Sequence, residues 1–122
     1  MSEKLKYMSR EIKFRAWSSN LKKLSKPFTL KASVLNFTND EGLGNIKSIE
    51  DEIVQQFTGL KDKDGKEIYE GDILDNRWVV FFNDGMFGVF DKHHYMGLNS
   101  YMSKFRKVIG NIHENPELLY LS

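Results

Sequence analysis

The chain has 122 residues, enough for one domain with one core and too few for two ordinary domains. Its 18 Lys and Arg against 17 Asp and Glu leave a formal charge of +1, which argues against a generic polyanion binder. With no Cys there is no disulfide framework, no thiolate metal site and no cysteine nucleophile. The charge is unevenly spread: residues 1 to 31 carry nine basic and two acidic side chains, residues 32 to 75 four basic and eleven acidic. No apolar stretch approaches the roughly 20 residues that cross a bilayer, and the basic leader MSEKLKYMSR runs into no apolar signal segment. A cytoplasmic protein without a membrane partner is expected.

Residues 1–9 are polar and aperiodic and read as a loose lead-in to a single domain over 10–122. In EIKFRAW, Ile12, Phe14 and Ala16 alternate with Lys13, Arg15 and Trp17, the period of a half-buried strand. NLKKLSKP, residues 20–27, is a basic connection ended by a proline. Residues 28–37 fit a strand through Phe28, Leu30, Ala32 and Val34, and equally one face of a short helix through Leu30, Val34 and Phe37 with Thr29 as N-cap. NDEGLGN, residues 39–45, reads as an exposed loop. From there the pattern predicts strands near 53–58, 66–69, 72–75, 77–83, 86–91 and 104–112, with Asp64-Gly65 and Asp84-Gly85 as tight turns. WVVFF-NDG-MFGVF is the clearest hairpin. Its two apolar faces, Val79 with Phe81 and Val80 with Phe82, predict cover on both sides. Asn115 and Pro116 suit the start of a last helical turn. The expected fold is mainly β with minor helix: a small, antiparallel, partly closed barrel-like domain with the N-terminal strand packed on it.

The acidic run KDKDGKE resembles part of a calcium loop. With Gly65 at position 6 of an EF-hand, however, Leu60 falls at position 1 and Gly71 at position 12, so both terminal carboxylates are missing. The same residues suit two successive chain reversals. Asp62 and Asp64 accept local backbone hydrogen bonds, Gly65 supplies positive φ, and Gly71 with Asp72 forms a second corner. Asp91, His93 and His94 are the other metal candidates, with His113 and Glu114 as completing ligands. On a strand Asp91 and His93 share a face and His94 opposes them, and a histidine pair at a hairpin end is more commonly solvated. Nothing matches a nucleophile elbow, a helix-borne His-Glu-x-x-His or a phosphate-cradling glycine loop, so neither catalysis nor a cofactor is expected.

Nucleic-acid binding is the rival to a protein-binding role. Arg15, Trp17, Lys22, Lys23 and Lys26 could form a basic patch, with Trp78, Phe87 and Tyr95 for stacking. The commoner use of such residues is to fill a core and to solubilise an edge.

Three segments in order, REIKFRAW, FTGLKDKDGKEIYEGDIL and VIGNIHENPELL, resemble the YopX-like proteins of phages and prophages, mostly from Gram-positive bacteria. The resemblance spans residues 10–119, while residues 31–50 and 84–103 match no pattern, so the histidine segment inherits no role. What the resemblance implies is a small, mainly β, phage-borne protein acting inside a bacterial host. It brings no catalytic residues with it. By analogy it suggests a non-enzymatic module for interaction or assembly, with an unidentified host or phage protein or a second copy of itself as partner.

Overall fold

Period-two alternation builds β1 (Phe14–Ser18), and both of its faces are covered: Arg15, Ala16 and Trp17 are all buried. The computed structural model describes residues 11–29 and 52–120; the lead-in at 1–9, most of the ambiguous 28–37 segment and the 39–45 loop lie outside the described residues. The basic connection contains a short strand, β2 (Lys23–Leu24), which pairs Trp17 with Leu24 and Ser18 with Lys23. Lys22, at φ 55, closes the turn between them.

Strand β3 (Glu52–Lys61) is longer than its apolar pattern suggests because its two ends serve different neighbours. Its first half pairs antiparallel with β1, Phe14 opposite Gln56 and Ser18 opposite Glu52. Its second half pairs with β4 (Glu67–Tyr69), and the register shifts between Phe57 and Lys61, where Gly59 has φ 88. The first sheet has the order β2-β1-β3-β4.

After the corner at Glu70-Gly71 the chain enters a second antiparallel sheet through β5 (Asp72–Leu74) and β6 (Val79–Asn83). Strand β7 (Met86–Phe90) completes the expected hairpin. Asp84 at φ 52 and Gly85 at φ 76 give this two-residue turn the left-handed pair that matches strand twist. Two elements then depart from the sequence reading. Strand β8 (Tyr95–Gly97) pairs with β7, and helix α1 (Ser100–Ser103) lies just before 104, where the next strand was expected to begin; neither was predicted. Helix α1 is too short to show a helical period, and it starts where the Asn99 side chain accepts from the Met102 N–H at 2.9 Å. The expected 104–112 strand contracts to β9 (Val108–Asn111), antiparallel to β5. The second sheet has the order β8-β7-β6-β5-β9. The fold is mainly β, two antiparallel sheets of which one curls into a half-barrel. A 3-10 turn, Pro116–Tyr120, follows. Asn115 precedes it as expected, but its side chain turns back to accept from the Asn111 N–H at 3.1 Å.

Ile68, Leu74, Val80, Val89 and Val108 form the core, and Leu60, Trp78, Leu98 and Met102 pack around them. The expected double cover of β6 holds for its first half alone: Val79 and Val80 are buried, Phe81 is half-buried and Phe82 is exposed. The β3–β4 turn is fastened by Asp62. Its Oδ1 accepts from the Asp64 and Lys66 N–H groups at 2.8 and 2.9 Å, and its Oδ2 accepts from the Val108 N–H at 2.9 Å. One carboxylate thus closes its own hairpin and ties it to a strand of the other sheet. Asp64 does not share this task; its side chain lies exposed, 4.0 Å from Lys107.

Burial pushes the Asp62 carboxyl up, but the Val108, Lys66 and Asp64 N–H donors outweigh it and hold the group below its ordinary value of 3.8. A carboxyl lowered on folding stabilises the fold above its unfolded pKa, and that stabilisation disappears as pH falls through the lower folded value. Asp62→Ala is expected to cost about 3 kcal/mol in urea unfolding by leaving the Val108 N–H and turn amides unpaired. It should also flatten the loss of stability of the native chain below about pH 4. The two corner glycines should behave differently. Gly65, at φ 84 with open space around it, should lose about 1 kcal/mol as Ala. Gly71→Ala should lose clearly more, because its Cβ would fall 2.2 Å from the Gln55 Nε2.

Candidate functional site

Burial of Arg15 needs a counter-charge, and the second sheet supplies it. Arg15 reaches from β1 to form an ion pair through Nη2 with Oδ1 of Asp72 on β5, and its Nε donates to Gln55 Oε1 on β3 at 2.8 Å. The guanidinium lies over the Tyr69 ring, 4.5 Å from its centroid. Asp72 Oδ2 accepts from the Tyr69 N–H at 2.8 Å, and Asn111 Nδ2 on β9 donates to Gln55 Oε1 at 3.2 Å. Among the described residues, every buried side-chain nitrogen and oxygen has a partner. Burial pushes the Asp72 carboxyl above its ordinary range, and Arg15 and the Tyr69 N–H pull against that rise. Tyr69 is itself pushed up to about 12, first by burial and then by the Glu67 carboxylate.

Trp17, next on β1, stacks on His113 with ring centroids 6.0 Å apart and planes 20° from parallel. Burial and then the Arg15 charge push His113 down, so the stack favours the neutral ring. Arg15 and Trp17 are therefore buried, whereas Lys22, Lys23 and Lys26 are exposed on and around β2. The five residues of the basic patch do not share one exposed surface. Of the stacking aromatics, Trp78 packs at the core, Phe87 is half-buried edge-on to Phe82 at 4.9 Å, and Tyr95 is 81% exposed. Asp91 Oδ1 accepts from the His93 and His94 N–H groups at 2.9 and 2.8 Å, a local turn in which both imidazoles stay exposed. His113 and Glu114 follow β9, and two strands, β6 and β5, separate β9 from β7, which leads into Asp91. The fold thus does not bring His113 and Glu114 to the Asp91 turn. No helix among the described residues is long and apolar enough to cross a membrane.

The surface chemistry is concentrated elsewhere, on the outer face of β6, β7 and β8. The register opposes Phe81 to Gly88, Gly88 to Gly97 and Phe90 to Tyr95, so all five residues share one face. A Cβ on Gly88 would meet Phe81 Cζ at 2.6 Å, so the ring lies flat across the glycine. Met86 reaches over Gly97 in the same way, its Cε 3.0 Å from where a Cβ would stand. At the β5–β9 end the C-terminal turn covers this face, Leu118 lying against Gly110. At the β7–β8 end, among the described residues, nothing does. What results is a groove of about 580 Å³ lined by Phe81, Met86, Phe90, Tyr95 and Gly97, with Asp84 at its rim. Phe90 is 41% exposed and Met86 50%. Period-two reading of HHYMG could have located Tyr95 on this face; its pairing with Phe90 needed the register.

The buried node makes a stability prediction. Arg15→Met is expected to cost about 3–5 kcal/mol, since it strands the Asp72 carboxylate, and Arg15→Met with Asp72→Leu should recover most of that loss in urea unfolding.

Comparisons with known proteins place this geometry in a known class. The structure of protein EF1440 from Enterococcus faecalis is similar at a TM-score of 0.65 and 29% sequence identity, over 91% of this chain and 99% of that one. No curated protein matches the chain. The family model described as YopX protein matches residues 13–120, a span that includes the Arg15–Asp72 pair, both glycine corners and the C-terminal turn. The chain belongs to the YopX protein family.

Proposed function

We propose that this protein is a non-enzymatic, phage-borne interaction module that works inside the bacterial host and binds another protein through the open face of β6, β7 and β8. The observation that carries the reading is the apolar groove lined by Phe81, Met86, Phe90, Tyr95 and Gly97 on the open face of β6, β7 and β8. Aromatic and methionine side chains rimmed by polar residues are the usual composition of a protein-binding patch. The buried polar groups support it too. Asp62, Asp72, Arg15, Gln55 and Asn111 are engaged in holding hairpins and sheets together, which leaves binding to the surface.

The experiment is affinity capture from lysogenic or infected cells, with mass measurement of the intact complex. The native chain should retain a protein, and the Phe90→Ser, Tyr95→Ser variant, at unchanged thermal stability, should lose it. Retention of single-stranded DNA instead, falling steeply with salt and weakened by Lys22→Glu with Lys23→Glu, would replace this reading with a nucleic-acid one.

A further inference from the structure

Strand β8 is the last strand of its sheet among the described residues, and its hydrogen-bond phase determines which groups it presents outward. The Asp91 N–H donates to the His94 carbonyl at 2.9 Å and the Leu98 N–H to the Phe87 carbonyl at 3.1 Å. With Met96 opposite Val89 in the same register, His94, Met96 and Leu98 direct their backbone groups at β7. Tyr95 and Gly97 therefore point their N–H and C=O groups away from the sheet. An edge of this kind is a template for a further strand.

We propose that the occupant of this edge is a second copy of the chain, paired β8 to β8 antiparallel about a two-fold axis through Met96. This rests on the reading of the β6–β8 face as the interaction surface and names its partner. The backbone is self-complementary in this register. Tyr95 exchanges both hydrogen bonds with Gly97 of the second copy, and Gly97 does the same with Tyr95, so all the outward groups are paired by one isologous contact.

The side chains fit the same register. Tyr95, 81% exposed, comes to lie opposite Gly97 of the other copy, against the Met86 side chain that reaches over that glycine. Its ring then fills the open end of the groove beside Met86. An aromatic ring opposite a strand glycine compensates for the missing side-chain packing there.

Charge also favours two copies in antiparallel order. The β6–β7 turn, at the end of the sheet toward which Gly97 leads, carries Asp84. The turn before Tyr95 carries Lys92, beside Asp91, whose carboxylate already accepts from the His93 and His94 N–H groups. Antiparallel pairing brings Lys92 of one copy toward the Asp84 end of the other, whereas parallel pairing would align Lys92 with Lys92 and Asp84 with Asp84. The two five-stranded sheets join into one continuous sheet. With a strand of three residues at the centre, the contact falls below the roughly 1,000 Å² of a stable interface, so the dimer is reversible and concentration-dependent.

The chain has no cysteine, which permits a direct test. Met96→Cys places the single thiol on the axis, in a non-hydrogen-bonded pair whose Cα atoms stand about 4.5 Å apart, within disulfide reach. Under mild oxidation it should convert to a covalent dimer, and the exposed Tyr101→Cys control should not. The native chain should show concentration-dependent dimerisation in sedimentation analysis. Tyr95→Pro removes an outward donor while sparing the β7 ladder, and should sediment as a folded monomer. A native chain that stays monomeric over the whole dilution series, or a Met96→Cys variant that crosslinks no faster than the control, would overturn the proposal. If the native chain is monomeric yet loses a captured protein on Phe90→Ser with Tyr95→Ser, self-pairing fails and the interaction face stands. If capture is unaffected as well, both fail.

Discussion

Two desolvated charges hold this fold in one arrangement. Arg15 belongs to the first sheet and Asp72 to the second, and each would be costly to bury alone. Together they are tolerable because their remaining hydrogen-bonding groups are also used: Gln55 accepts from the guanidinium, the Tyr69 N–H donates to the carboxylate, and the Tyr69 ring roofs the pair. Such a node adds little net energy over an apolar packing of the same volume. What it adds is intolerance of alternatives, since any slip of β1 against β5 leaves a buried charge unpaired.

The Asp62 carboxylate does the same work at lower cost. It spends both oxygens on backbone N–H groups, two of them within its own turn and one from Val108. The two sheets are thus joined by the covalent corner at Glu70-Gly71, by a buried ion pair, by the Asn111-to-Gln55 and Asp62-to-Val108 bonds and by the Lys63 N–H, which donates to the Arg106 carbonyl. With these fixed, the hydrophobic core between them needs only a short list of aliphatic residues.

Much of this was legible in the sequence, and what was not has a common cause. The β6–β7 hairpin, the Gly65 and Gly71 corners and the inward Ile68 follow from local chemistry: glycines that accept positive φ and an alternating pattern on either side. Arg15 and Trp17 read as surface residues because nothing within a few positions marks a basic side chain as buried. Arg15 meets Asp72 57 residues away, and Trp17 meets its stacking partner His113 on a turn after the last strand. Asp62 was legible as a turn residue but not as a tie to Val108, 46 residues on. Strand β8 and helix α1 were missed for a different reason: neither is long enough for a period to repeat. The exposed groove needed the register, because Phe90, Tyr95 and Gly97 become neighbours only when β7 and β8 pair.

The close approach at Gly71 has a consequence for how such a sequence can change over time. The side-chain amide of Gln55 occupies the space that a Cβ at position 71 would need, while the same amide oxygen accepts from Arg15 and Asn111. The two positions therefore share one volume. A side chain at 71 would displace the Gln55 amide and with it an acceptor of the buried arginine. Position 71 and position 55 are thus coupled: a change at either shifts the hydrogen bonding of the buried arginine.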